Sequence, residues 1–242
     1  MRIYKQLNPI HALSFDLDDT LYANAPVIAA AEAAMLTCLQ RHKPQLMHND
    51  SSYWQLQRKL VASQQPELCH DVSHWRLVAV EQGLQAQGIG HCEAAELAEL
   101  AVDAFLQVRT RVTIPQDIQH LLQQLARKFP LVAITNGNAD IQQMGLGSMF
   151  TLSLRAGPDG RMKPHADMFY RAAEHLAVSC QHILHIGDHV RSDVLGALNA
   201  GCMAAWLNPA ASIDPRRQAP PLVLPHLEIA SLDALLLLGA QP

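Results

Sequence analysis

Residues 12–22 read A-L-S-F-D-L-D-D-T-L-Y, and this stretch decides the fold. Ala12–Phe15 carries no charge, then the chain breaks abruptly into Asp16, Asp18 and Asp19. A short, uninterrupted run of this kind fits a strand buried on both faces, as in a parallel sheet. Working outward, three further runs have the same form. Leu131–Ile134 enters Thr135, Ile183–Ile186 enters Gly187 and Asp188, and Ala204–Leu207 enters Asn208.

Helical patterns separate these runs. Ile114–Phe129 carries Ile118, Leu121, Leu122 and Leu125 at spacings of three and four, with Pro115 in its first turn and Pro130 after its end. Ala166–Leu176 follows Pro164 in the same way, and Val190–Ala200 stops at Gly201, a C-cap position. Alternating strand and helix predicts a doubly wound, parallel-sheet (Rossmann-like) α/β fold. The stretch 23–112 breaks the alternation. It shows no strand and is rich in Ala, Leu and Gln, with amphipathic helices over Val27–Gln40 and Glu93–Val108. A crossover between parallel strands needs only about a dozen residues. The expected organisation is therefore an α/β core of residues 1–22 plus 113–242, with an inserted all-helical domain of residues 23–112.

Composition removes several classes of function. In 242 residues, 18 Lys and Arg against 22 Asp and Glu give a net charge of −4 without a basic cluster, so a nucleic-acid partner is not expected. No run reaches the roughly 20 apolar residues of a membrane span, and no signal-peptide pattern precedes Asp16. Five cysteines, odd in number and without a C-x-x-C pair, read as reduced thiols. These readings together predict a cytoplasmic protein without a membrane partner. The 13 histidines are scattered and suggest no zinc site.

What remains is the placement of polar residues. Ligands of open α/β sheets bind beyond the carboxyl ends of the strands. Three strands here end in F-D-L-D-D-T (15–20), T-N-G-N (135–138) and G-D-H-V-R-S-D (187–193), and Lys163 lies between the last two. Asp16 and Asp18, two apart on an extended segment, point to the same side. With Asp188 from a neighbouring strand they form a set of hard oxygens suited to Mg²⁺. The Thr135 hydroxyl and nearby backbone N–H groups can hold phosphate oxygens, and Gly137 permits close backbone approach. Each element alone has an ordinary structural reading: an acidic turn, an Asx turn at Asn136, a surface lysine, a first-turn acid at Asp193. Their joint occurrence in order, each at a strand or loop end, is what points to a site.

In that order, D-x-D-x-T (16–20), Thr135, Lys163 and G-D-x-x-x-x-D (187–193) resemble the haloacid dehalogenase-like hydrolases, which are mostly Mg²⁺-dependent phosphatases. The helical insert resembles that family's cap. More narrowly, F-D-L-D-D-T-L-Y (15–22), H-D-V-S-H-W-R (70–76), L-V-A-I-T-N-G-N (131–138), L-R-A-G-P-D-G-R-M-K-P (154–164) and L-P-H-L-E-I (224–229) resemble the bacterial flavin mononucleotide (FMN) phosphatases, some of which also act on 5-amino-6-(5-phosphoribitylamino)uracil. The resemblance implies an aspartyl-phosphate mechanism on a small phosphorylated metabolite. Asp16 would be nucleophile and Asp18 general acid and base. Asp16, Asp188 and the backbone carbonyl of Asp18 would hold Mg²⁺. Thr135, Asn136 and Lys163 would bind the phosphoryl oxygens, and Asp193 would support Lys163 or the metal shell. Tyr22, His70, Asp71, Trp75 and Arg76 are candidates for substrate contact, each with an alternative packing role. Other reactions on the same scaffold remain open: a phosphatase of another sugar phosphate or nucleotide, a phosphomutase, a dehalogenase, or a non-catalytic phosphate-binding module. Asp18 argues against the dehalogenase, and the complete set of Asp16, Asp18, Lys163 and Asp188 against the non-catalytic module.

Overall fold

A computed structural model describes residues 1–212 and 223–239. Residues 213–222 and 240–242 of the expected core range lie outside the described residues. The chain divides into two compact units, Met1–Ala23 with Thr113–Pro242, and Asn24–Val112.

The first unit is built on a seven-stranded sheet. Its strands are β1 (Arg2–Ile3), β2 (Ala12–Phe15), β3 (Leu131–Thr135), β4 (Leu152–Arg155), β5 (Ile183–Gly187), β6 (Met203–Leu207) and β7 (Leu227–Ile229), in the order β1-β7-β6-β5-β2-β3-β4. All neighbours are parallel except β1, which runs antiparallel to β7. Every residue of β2, β3 and β5 is buried, as their charge-free sequences require of central strands. Helices α5 (Gln116–Ala126) and α6 (Asp167–Leu176) follow the expected patterns. One face of the sheet is sealed by Val132, Ile134, Met168, Phe169, Ile183, Val194 and Ala204. Full burial of a side chain such as Phe169 contributes about 1.5–3 kcal/mol.

Two features differ from the sequence reading. First, β1, β4 and β7 join the sheet without a run of the expected form. Second, the helix expected over Val190–Ala200 begins as a π-helical turn, Val190–Leu195, before closing into α7 (Gly196–Asn199). The wide turn is held at its start by two hydrogen bonds that both involve His189. The His189 N–H donates to Asp193 Oδ2 at 3.0 Å, and the Ser192 N–H donates to His189 Nδ1 at 3.1 Å. Such turns concentrate at functional sites because they re-aim a side chain. Gly201 closes the segment in the left-handed region, with φ of 78°.

The second unit is a helical bundle of α1 (Asn24–His42), α2 (Ser51–Gln64), α3 (Val72–Ala86) and α4 (His91–Arg109). Ala31, Ala94, Ala98 and Ala101 are fully buried, and their small side chains let helix backbones approach. Met35, Leu39, Trp54, Leu84 and Phe105 fill the remaining core. Asp50 and Asp71 cap α2 and α3, each accepting from two backbone N–H groups.

Candidate active site

Strand register brings the polar residues together. Phe15 lies opposite Ala133 on one side and Ile186 on the other, so the carboxyl ends of β2, β3 and β5 lie within two residues of one another. Asp16 continues β2 by donating its N–H to the Ile186 carbonyl at 2.9 Å. Asp16, Asp18, Thr135, Asn136, Gly137, Lys163, Asp188 and Asp193 all line one open cleft. The expected core residues therefore meet in one place.

Lys163 is its hub. Nζ donates to Asp16 Oδ1 at 2.7 Å, Asp193 Oδ1 at 2.6 Å and the Ile134 carbonyl at 2.6 Å, which uses all three ammonium hydrogens. Its side chain is wholly buried, so both ion pairs act in a low-dielectric setting. Burial alone would lower the lysine pKa, but the two carboxylates outweigh it and the pKa is raised. Asn136 clamps the same residue: its Nδ2 donates to the Lys163 carbonyl at 2.9 Å, and its Oδ1 accepts from the Lys163 N–H at 2.6 Å. The Asn136 amide thus serves lysine position. Thr135 Oγ1 accepts from the Gly137 N–H at 3.0 Å and keeps its own hydrogen to donate.

Asp16, Asp188 and Asp193 place carboxylate oxygens within 4.8 Å of one another. The Thr20 hydroxyl sits between Asp16 Oδ2 and Asp188 Oδ1, at 3.4 and 3.5 Å. Trp206 pins the Asp188 carbonyl through Nε1 at 2.8 Å. Burial, then the negative charge of Asp193, raises the Asp188 pKa. Asp193 is held below the ordinary range, because Lys163 and His185 outweigh its burial. One ammonium among three carboxylates leaves surplus negative charge on hard oxygens, which fits a divalent cation at Asp16 and Asp188. Asp193 is already engaged by Lys163 and the His189 N–H.

Tyr22 is buried, and its hydroxyl donates to Asp18 Oδ1. The other residues singled out as substrate contacts lie in the helical unit. His70 ends a short 3₁₀ turn, Pro66–His70, with Nε2 at 3.7 Å from Glu67. Asp71 caps α3, accepting from Ser73 N and His74 N at 3.1 and 3.0 Å. Trp75 Nε1 donates to the Arg58 carbonyl at 2.9 Å, and the Arg58 guanidinium lies 4.6 Å over its ring. Arg76 stacks 3.7 Å over Phe105 and faces Glu32 at 3.7 Å. Burial, then the charge of Arg58, lowers the Arg76 pKa to about 10.

Sequence reasoning passed over Thr20, Ser14, His185 and Trp206. A signal existed for Ser14 and His185: each is the only polar side chain in its buried strand, and the two are register partners.

A parallel sheet whose strand ends gather a buried lysine and three aspartates defines a hydrolase-type catalytic cleft. The chain belongs to the haloacid dehalogenase-like hydrolases, whose family profile matches residues 10–201. It is 44% identical over 235 residues to the 5-amino-6-(5-phospho-D-ribitylamino)uracil phosphatase YigB of Escherichia coli (strain K12), covering 97% of this chain and 98% of that protein. It is 26% identical over 244 residues to the N-acylneuraminate-9-phosphatase of Rattus norvegicus, covering 93% and 92% of the two chains. Among solved structures it resembles a 2-haloacid dehalogenase from Pseudomonas syringae pv. Tomato DC3000, with a TM-score of 0.84 and 34% identity over 93% of this chain and 96% of that one. The expected class of enzyme, a phosphatase of this family, stands.

Proposed function

We propose that the protein is a Mg²⁺-dependent phosphomonoesterase of riboflavin metabolism. Its proposed substrates are 5-amino-6-(5-phosphoribitylamino)uracil and FMN, and it works through an aspartyl-phosphate on Asp16. The carrying observation is Lys163, buried between Asp16 and Asp193 with Asp188 alongside. The substrate reading is supported by the 44% identity with YigB along nearly the whole chain.

In this reading an Asp16 oxygen attacks phosphorus and the ester P–O bond breaks. Asp18 protonates the departing oxygen, then takes a proton from the water that cleaves the acyl phosphate, which frees Asp16 and inorganic phosphate. The Lys163 charge and the Thr135 hydroxyl face the phosphoryl oxygens where negative charge builds. When bound at Asp16 and Asp188, the metal neutralises the approach of a dianionic ester to a carboxylate. We assign residues 23–112 the role of a cap that selects the organic part of the substrate. The cytoplasm is the proposed compartment, in line with the five cysteines, all free thiols. Among the described residues, no helix is long and apolar enough to cross a membrane.

The likeness to a structure named for 2-haloacid dehalogenase motivates one rival reading. In it Asp16 would displace halide from a 2-halo acid, and Asp18 would have no leaving oxygen to protonate. A panel of purified protein with FMN, the ribitylaminouracil phosphate, sugar phosphates, nucleotides and 2-chloropropionate decides. The expected result is phosphate release from the first two, lost with a chelator. Chloride release without phosphate release would replace the phosphatase reading. Phosphate release from other esters alone would replace only the substrate.

A further inference from the structure

The mechanism above makes no use of His185. The residue is 1% exposed in the centre of β5, its ring nearly perpendicular to that of Phe169 with centroids 4.9 Å apart. An apolar side chain of similar volume would fill that place without removing an imidazole from water. Its two nitrogens are both engaged. Nδ1 lies 2.9 Å from Ser14 Oγ and Nε2 lies 3.2 Å from Asp193 Oδ1.

Chemistry fixes which nitrogen bears the hydrogen. An ionised carboxylate only accepts, so the nitrogen facing Asp193 must donate. A neutral ring has one N–H, so Nδ1 is then an acceptor and the Ser14 hydroxyl donates to it. Burial pushes the ring's pKa down to about 4 against the pull of Asp193, which keeps it neutral at physiological pH. Asp193 thus sets the tautomer, and the Ser14 hydroxyl, opposite His185 across β2 and β5, donates to Nδ1 and holds the ring in orientation.

We propose that His185 is a positioning residue for catalysis: its Nε2–H, oriented by Ser14 at Nδ1, fixes the Asp193 carboxylate that holds Lys163 beside Asp16. Asp193 Oδ1 takes both the Lys163 ammonium and the His185 ring, and Oδ2 takes the His189 N–H. Three donors leave that carboxylate one orientation. Without the imidazole it can turn, Lys163 loses one of its three acceptors, and the ammonium that pairs with Asp16 at 2.7 Å is no longer fixed in the place from which it faces the phosphoryl group. A neutral donor suits the place because a second cation would compete with Lys163 for the same oxygen. This inference rests on the roles proposed for Asp16 and Lys163.

Two variants test it, His185→Leu and His185→Gln. Gln can present an amide N–H near the position of Nε2, and Leu presents none. Outer-shell partners of this kind are worth about 10–100-fold. His185→Leu should lower kcat for a generic aryl phosphate by about 10-fold or more, with KM within about twofold and Tm not reduced. His185→Gln should recover most of kcat. Wild-type kcat in both variants would overturn the proposal. So would parallel losses of kcat and Tm in both, the mark of a packing residue. The ¹⁵N shifts of His185 supply a readout independent of turnover. A neutral Nε2–H ring, retained in Ser14→Ala because Asp193 still demands a donor, is expected, and a neutral Nδ1–H ring in the unmodified protein would overturn the proposal. Absence of phosphate release by the unmodified enzyme would instead defeat the phosphatase reading, with the tautomer still measurable.

Discussion

Tyr22 shows how one hydroxyl separates two roles. The sequence suggested a substrate contact, because Tyr22 lies two residues beyond D-x-D-x-T. In the structure its phenol is buried and donates to Asp18. An intramolecular hydrogen bond contributes about 0.5–1.5 kcal/mol, and 1.4 kcal/mol is a factor of ten in rate. Tyr22→Phe should therefore lower kcat by up to roughly tenfold with KM unchanged, because the loss acts through Asp18. A rise in KM with kcat intact would return Tyr22 to the substrate. Asp16→Asn should abolish turnover outright, since an amide oxygen is too weak a nucleophile to form the acyl phosphate. Steady-state phosphate release reads both, and circular dichroism checks that the fold persists.

At the scale of elements, the site depends on how closely the end of β5 approaches the π-helical turn that follows it. A Cβ built on Gly187 would stand 2.3 Å from Asp193 Cγ, so the glycine is required by contact with that carboxylate. Gly187→Ala must push Asp193 away from Lys163. Misplacement of about 1 Å can cost on the order of 100-fold, and kcat should fall at least that far. Retained activity would mean that Asp193 does not position the lysine. Asp71 offers a contrasting test at the start of α3. Loss of its two cap bonds in Asp71→Ala should cost about 1 kcal/mol, a fall of about 2–4 °C in Tm, with KM unaffected. A raised KM at unchanged Tm would instead make Asp71 a substrate contact. These elements were unequally legible in the sequence. β2, β3, β5 and β6 could be read because central parallel strands are buried on both faces and show it as charge-free runs. β1 and β7 are two and three residues long, and in β4 only Leu154 is buried, so none carries such a run. The D-x-D-x-T and G-D-x-x-x-x-D residues could be read because strand ends concentrate function. The wide turn at Val190–Leu195 could not, since the bonds among His189, Ser192 and Asp193 that accompany it leave no mark in helical periodicity.

At the scale of the whole molecule, a net charge of −4 understates how the charge is focused. Asp16, Asp188 and Asp193 converge on a sheet end where Lys163 is the cation that bridges Asp16 and Asp193. Burial, opposed by Lys163 and reinforced by the charge of Asp193, pushes the Asp16 pKa up to about 8 in the metal-free protein. Unfolded, the same carboxyl titrates near its ordinary value of about 3.9. A raised folded-state pKa contributes stability that is complete below the unfolded value and is lost as pH rises through the folded one. Metal-free protein should therefore become less stable between about pH 4 and 8, where the unfolded chain has given up this proton and folded Asp16 still holds it. A divalent cation at Asp16 and Asp188 takes over the role of that proton, so binding at pH 7 should release about one proton. Ligand binding at 100 times Kd stabilises by about 2.7 kcal/mol, and Kd itself should tighten as pH rises. The rise in Tm produced by a fixed Mg²⁺ concentration should thus be larger at pH 8.5 than at pH 6. Scanning calorimetry with Mg²⁺ and with chelator at both values makes the comparison. Asp16→Asn, which has no proton to lose, should flatten the pH dependence of the metal-free Tm. An equal Mg²⁺ effect at both pH values, or a metal-free Tm that climbs from pH 6 to 8.5, would show that Asp16 is already ionised and that Lys163 alone neutralises the cluster.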